Sequence, residues 1–155
     1  MIKSILQFEE VGVKNLSGVL EKFIKEPEKQ TEFIYGITDS VVQLGLDMIT
    51  ETFESMDEEL RKSAFRKTKC VISRRDKTSL ITSLGTVKYH KTLFKNKQTG
   101  ECTYLLDQIM GFESHIRITE DAEAQMLEEA VDSSYRKGGM RTSISDHVSK
   151  QTVKN

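Results

Sequence analysis

Residues 86–106 read TVKYHKTLFKNKQTGECTYLL, and this stretch carries the clearest strand and turn signals in the central part of the chain. Apolar residues at alternate positions, Val87, Tyr89 and Leu93, predict a strand that turns one face toward a core. The polar NKQTG that follows predicts a hairpin turn in which Gly100 takes a positive φ. ECTYLL then predicts the returning strand.

The same strand signals extend upstream of this hairpin. KCVIS at residues 69–73 and TSLITS at residues 78–83 are rich in β-branched residues and predict two further short strands. RRDK between them, and Leu84-Gly85 after them, predict turns. The sequence therefore predicts an antiparallel β meander of three or four strands within residues 67–112.

Two amphipathic helices are predicted before the meander. A short helix runs from about Asn15 to Lys25, and a long one runs from Glu32 to about Arg66. The apolar residues of the long helix are Phe33, Ile37, Val41, Leu44, Met48, Phe53, Met56 and Leu60. Because one short helix cannot cover so long a stripe, we expect a homodimer through the helix from Glu32 to Arg66. The acidic residues before Leu60 are interpreted as the solvated flank of this helix.

The last region, residues 119–155, predicts further helices. A helix begins near Thr119 and runs through DAEAQMLEEAVDSSY, and a second short helix can be capped by Ser149. This arrangement resembles an incomplete helix-turn-helix, in which Lys150 and Gln151 would contact DNA. The alternative interpretation is a frayed polar tail.

The predicted fold class is therefore α+β. An acidic helical region with one long helix covers residues 1–66, a small antiparallel β meander covers residues 67–112, and helix-turn-helix-like helices cover residues 119–155.

Charge is strongly segregated along the chain, although the net charge is only −1. Residues 1–60 contain 5 Lys/Arg against 13 Asp/Glu, whereas residues 61–98 contain 12 Lys/Arg against one acidic residue. So basic a block can bind a polyanion, and double-stranded DNA is the predicted partner. The predicted contact residues in this block are Arg74, Arg75, Lys88 and Lys91. The alternative is a solvated basic surface that the acidic segment compensates.

Other classes of function lack support in the sequence. No stretch approaches the roughly 18 apolar residues of a membrane span, and no secretory signal is apparent. Cys70 and Cys102 lack metal-ligand spacing, as is typical of a reduced cytoplasmic protein. His90, His115 and His147 fall in different predicted elements. We therefore expect a cytoplasmic protein without catalytic, metal-binding or cofactor-binding residues.

Three stretches carry a resemblance to a known family: SLGTVKYHKTLFKNKQTGECTYLLDQIMGF, RITEDAEAQMLEEAVDSSYRKGG and VSKQTVKN. From about Arg75 onward the chain resembles the N-terminal portion of bacterial insertion-sequence transposases of the ISLre class, a group also catalogued as an uncharacterised protein family. The matching positions are Gly85, Val87, Thr99-Gly100-Glu101, Tyr104-Leu105-Leu106-Asp107, Gly111, Ser134-Tyr135-Arg136 and Gln151-Thr152-Val153.

The resemblance implies a role in DNA handling. Those transposases are much longer, and their Asp/Asp/Glu metal-binding nuclease domain would follow beyond Asn155. The resemblance therefore implies a truncated or degenerate copy that is not an enzyme, and the predicted function is the DNA-binding N-terminal region of a transposase-like protein. The alternatives are a non-catalytic protein–protein interaction or dimerisation module and a decayed gene product of no defined activity.

Overall fold

The computed structural model of the chain describes residues 2–113 and 116–132. It contains α-helices and one three-stranded sheet, which confirms the predicted α+β class. The elements are α1 (Lys3–Gln7), a π-helical turn (Phe8–Gly12), α2 (Val13–Lys25), α3 (Gln30–Lys62), α4 (Ala64–Lys69), β1 (Cys70–Ile81), β2 (Thr86–Asn96), β3 (Cys102–Tyr104), α5 (Leu105–Ile109) and α6 (Glu120–Asp132). They form two compact units that divide between Glu51 and Thr52, inside α3.

The first unit is an antiparallel helical hairpin of α2 and the first half of α3. The rings of Phe23 and Phe33 stack with their centroids 4.3 Å apart next to the turn that joins the helices. Further along, a Cβ on Gly36 would lie 3.0 Å from the methyl carbons of Val19. The two helices approach closely here, and a larger residue at this position would require the Val19 side chain to shift by a few tenths of an ångström.

The N-terminus of α1 is capped from the far end of this hairpin. Glu51 on α3 accepts hydrogen bonds from the backbone N–H groups of Lys3 (2.7 Å) and Ser4 (2.8 Å). The bond from the Ser4 N–H is the main cause of a lowered pKa of Glu51, which burial opposes. A carboxylate thus satisfies N–H groups that the first turn of a helix leaves without intrahelical acceptors.

The long helix ends earlier than its sequence predicts. α3 stops at Lys62 instead of continuing to Arg66, and the short helix α4 follows directly. Ser63 separates the two helices, and its hydroxyl accepts a hydrogen bond from the backbone N–H of Arg66 at 3.2 Å. The serine therefore caps a new helix.

The second unit contains the sheet, whose strands are antiparallel in the order β1-β2-β3. β1 pairs with β2 from Cys70↔Asn96 to Ile81↔Thr86, with a bulge between Ile72 and Arg74. The prediction of two short strands separated by a turn at RRDK is therefore wrong, because these residues lie inside β1. The predicted fourth strand is also shorter than expected: only Cys102–Tyr104 pairs, and the chain then forms α5.

The turn between β2 and β3 confirms the prediction for Gly100. Its φ is 75°, a conformation that glycine adopts without a steric penalty. The Asn96 side-chain oxygen accepts hydrogen bonds from the N–H groups of Gln98 (2.8 Å) and Thr99 (3.2 Å) and closes the preceding loop.

The core of the second unit lies between the sheet and its helices. Its buried hydrophobic residues are Cys70, Leu80, Val87, Tyr89, Leu93, Phe94, Leu106, Ala122 and Met126. On α6, Ala122 and Met126 are buried, whereas Leu127 and Val131 are exposed.

The outer edge of β2 is shared between a strand and a helix. β3 pairs only with Leu93–Lys95. Beyond that point the backbone N–H groups of His90 and Thr92 each donate at 2.8 Å to a carboxylate of α3, Glu54 and Asp57 respectively. The Thr92 hydroxyl also donates to Asp57, at 2.7 Å.

Asp57 itself is completely buried. The interpretation of all acidic residues before Leu60 as a solvated flank is therefore wrong for this residue. Asp57 lies on the polar side of α3, and it is buried because Thr92 of β2 lies against this part of the helix.

We predict that Asp57→Ala lowers the free energy of unfolding by about 1.5–3 kcal/mol, because the N–H and hydroxyl of Thr92 lose their charged acceptor. Urea denaturation followed by circular dichroism measures this. Glu59→Ala, at an exposed position of the same helix, is the matched control and should change stability by about 0.5 kcal/mol or less. Equal denaturation midpoints for the two variants would contradict the assigned role.

Candidate nucleic-acid interface

The register of β1 and β2 sorts the basic block onto two faces of the sheet. Lys77 pairs with His90 and Ser79 pairs with Lys88, so these side chains lie on one face together with Arg75. Successive side chains of a strand point to opposite faces. The other face therefore carries Arg74, Asp76 and Lys91.

We call the exposed cations Arg75, Lys77 and Lys88 the basic face. All three side chains are exposed, and Arg75 keeps 44% of its side-chain accessibility. Two positions along a strand span about 6.7 Å, and cross-strand neighbours lie about 4.5–8 Å apart, so the three charges fall within one small area. Like charges at this distance repel one another, and a bound polyanion would relieve the repulsion.

One carboxylate borders the basic face. Glu54 accepts the His90 N–H, its Oε1 lies 2.8 Å from Nδ1 of the His90 ring, and its Oε2 lies 4.0 Å from Arg75. Burial alone would raise the pKa of Glu54, but the hydrogen bonds to His90 and the neighbouring positive charges together lower it. Glu54 is thus held as an anion by the backbone and ring of His90, and Arg75 remains accessible.

The opposite face holds its cations in a network with carboxylates. The guanidinium of Arg74 donates to Asp76 at 2.8 Å, and the Tyr104 hydroxyl donates to the same carboxylate at 2.6 Å. The Lys91 ammonium forms an ion pair with Asp107 and lies 4.2 Å from the centroid of the Tyr104 ring. The Lys91 and Asp107 side chains are only 13% and 11% exposed.

This network borders a polar cleft of about 680 Å³ whose lining includes Thr78, Lys91, Tyr104 and Arg117. Lys77 and Lys88 of the basic face also reach its lining. The cleft therefore adjoins the basic face at Lys77 and Lys88.

The hydrogen bonds of the network shift the pKa values of its members. The bond from Arg74 is the largest cause of the lowered pKa of Asp76, and the bond from Tyr104 is the second. The bond to Asp76 in turn raises the pKa of Tyr104. Burial, together with the nearby charge of Asp107, raises the pKa of Tyr89 to about 12.

The predicted contact residues thus fall into different environments. Arg75 and Lys88 share the basic face, whereas Arg74 and Lys91 lie on the opposite face, each beside a carboxylate. Lys150 and Gln151 lie outside the described residues. The sequence prediction omitted Lys77. Arg75 and Lys77 are two positions apart, so their side chains would have been predicted on the same face if RRDK had been assigned to a strand.

The described ranges hold neither a cluster of metal ligands nor a membrane-spanning helix. Within residues 2–113 and 116–132, no three side chains of His, Cys, Asp or Glu come together as a metal site. None of the helices in the same ranges is long and apolar enough to cross a membrane.

Residues 24–155 match the model of the uncharacterised protein family UPF0236, and the chain belongs to this family. It is similar to UPF0236 protein TTE2489 of Caldanaerobacter subterraneus subsp. tengcongensis, with 30% identity over 154 residues that cover 99% of this chain and 32% of that protein. UPF0236 protein TTE0402 of the same organism is 30% identical over 155 residues, which are 100% of this chain and 30% of that protein.

The chain therefore spans about a third of the length of the curated relatives it matches. No solved structure matches the chain.

We predict that Tyr104→Phe raises the pKa of Asp76 toward its ordinary value of 3.8, and that Arg74→Gln raises it further. The pKa is lowered in the folded state, so the stabilisation from Asp76 is present above about pH 4 and is lost as the pH falls through the folded-state value. A carboxyl NMR titration measures the pKa directly. Tyr35→Phe, at an exposed tyrosine of α3, is the control, and an unchanged pKa in both test variants would refute the network.

Proposed function

We propose that this chain is the DNA-binding N-terminal region of a transposase-like protein, and that the basic face binds the phosphate backbone of duplex DNA. The observation that carries the proposal is the gathering of Arg75, Lys77 and Lys88 on one exposed face of a hydrogen-bonded strand pair. The resemblance to ISLre-class transposases, whose function requires DNA handling, supports the same conclusion.

The basic face suits phosphate recognition more than base recognition. Its residues are long, exposed cations on strands, and such side chains bind phosphate oxygens without reading the sequence. Arg74 and Lys91 are assigned a different role, because carboxylates already neutralise them and Lys91 is mostly buried. Lys91 links β2 to α5 through Asp107, and Arg74 shares the Asp76 carboxylate with the Tyr104 hydroxyl of β3.

The salt dependence of binding tests this proposal. Three phosphate contacts release counterions and give a slope of log K against log salt of about −2.7, so affinity falls about 40-fold between 50 and 200 mM salt. Fluorescence anisotropy with two unrelated duplexes measures both the slope and its independence of sequence.

We predict that Arg75→Gln with Lys88→Gln reduces this slope by about 1.8, since two of the three contacts are lost. Lys14→Gln with Lys25→Gln removes the same charge from exposed positions of α2 and serves as the control, with a slope unchanged. Equal slopes for the two double variants, or binding that does not depend on salt, would overturn the proposal and favour a protein–protein interaction module instead.

We further propose that this chain neither cleaves nor joins DNA. Two-metal phosphoryl transfer needs carboxylates that converge on ions about 3.5–4 Å apart. Asp76 and Asp107, the carboxylates beside the polar cleft, are instead occupied by Arg74 and Lys91.

Incubation with supercoiled plasmid and Mg²⁺ or Mn²⁺ tests this expectation, and we predict that the plasmid stays supercoiled. Nicking that copurifies with the protein and disappears in Asp107→Asn would contradict it.

A further inference from the structure

The helical hairpin of the first unit exposes much of its apolar surface. Within residues 2–51, Val42 is the one hydrophobic residue that is buried. Large apolar side chains of α2 and α3 are instead exposed: Val13 at 48%, Leu20 at 46%, Ile24 at 77%, Ile34 at 61% and Val41 at 54%. Exposed apolar clusters of this kind mark interaction surfaces.

These residues lie on one side of the hairpin. Leu20 and Ile24 directly follow the α2 contact residues Val19 and Phe23, and Ile34 directly follows the α3 contact residue Phe33. One residue advances a helix by 100° in the same rotational sense. Because α2 and α3 run antiparallel, this rotation turns both exposed stripes toward the same side.

We propose that this apolar face binds the same face of a second copy of the chain and forms a four-helix dimer. The spacing of Ile34, Ile37 and Val41 is the three-then-four repeat by which helices interlock in coiled coils and helical bundles. A two-fold dimer brings identical patches together, so a stripe free of charged residues meets a stripe free of charged residues.

The size of the face is appropriate for such a dimer. Two packed helices are about 20 Å wide, and the 13 residues of α2 span about 20 Å, which gives a projected area of about 400 Å² per copy. The accessible surface of a face ridged with side chains is larger than its projection. The total surface buried by the two copies therefore approaches the roughly 1,000 Å² that a specific interface requires.

Charge disfavours a lipid surface as the occupant of the apolar face. Residues 1–51 contain 5 lysines and 9 acidic residues, so the hairpin is repelled by the anionic lipids that attract basic amphipathic helices. An identical hairpin presents its own apolar face, and the charged residues of both copies remain at the periphery.

Sedimentation velocity of the full chain from 5 to 100 µM tests the dimer. We expect the native protein to be dimeric at tens of micromolar, and Ile24→Lys with Val41→Lys to weaken the dimer about 100-fold or more, because each lysine would be buried without a partner. Tyr35→Lys with Val131→Lys adds the same charge at exposed apolar positions outside the face, and this control should remain dimeric.

Circular dichroism verifies that each variant keeps its helices. If the double lysine variant does not fold, the milder variant Ile34→Ser replaces it in the sedimentation experiment. Ile34→Ser should still weaken the dimer measurably. A native protein that is monomeric at 100 µM, a dimer that survives the substitutions, or a control that dissociates equally would overturn the proposal. Cosedimentation of the native chain with phosphatidylserine-containing vesicles, lost in Ile24→Lys with Val41→Lys, would assign the face to lipid instead.

Discussion

The outer edge of β2 constrains the second unit of this protein. An eleven-residue strand has a partner along the whole of one edge, but β3 supplies only three residues to the other. Thr92 on this edge is completely buried, and an unsatisfied N–H donor there would be costly. The carboxylates of Glu54 and Asp57 accept hydrogen bonds from the N–H groups of His90 and Thr92. Three residues along a helix advance about 4.5 Å and two residues along a strand about 6.7 Å, and the flexible acidic side chains can span this difference.

The location of the basic face follows from that arrangement. Once α3 fixes the edge of β2, pairing with β2 fixes β1, and alternation alone decides which cations point together. On the basic face Arg75 approaches one carboxylate, Glu54, at 4.0 Å. On the other face Arg74 and Lys91 each lie closer to a carboxylate, Asp76 and Asp107 respectively. A block of charge that is nearly uniform in sequence thus becomes asymmetric in space, with one internally neutralised side and one side available to a polyanion.

Local patterns in the sequence predict part of this structure. The strand β2 and the turn at Gly100 follow from short-range signals, and both are confirmed. The alternation holds for Val87, Lys88 and Tyr89, whereas Thr92, Leu93 and Phe94 are all buried. The turn prediction for RRDK is wrong because a charged run in an exposed strand has the same composition as a turn. Only the pairing of Arg74 with Leu93 and of Lys77 with His90 distinguishes the two. The prediction that Asp57 is solvated is wrong for a similar reason. Helical periodicity places Asp57 on the polar side of α3, whereas its burial depends on Thr92, 35 residues away.

The position of β1 at the border of the sheet has a further consequence, for the behaviour of the protein in concentrated solution. A twelve-residue border strand offers a row of backbone groups on which another chain could add a strand, which is how many proteins begin to aggregate. Charged side chains and a bulge discourage such growth, and β1 has charged residues in its middle and a bulge near its start. The arginines and lysine of β1 therefore also act as gatekeepers against fibril formation, and a chain that lost them would be prone to precipitate even where it still folded.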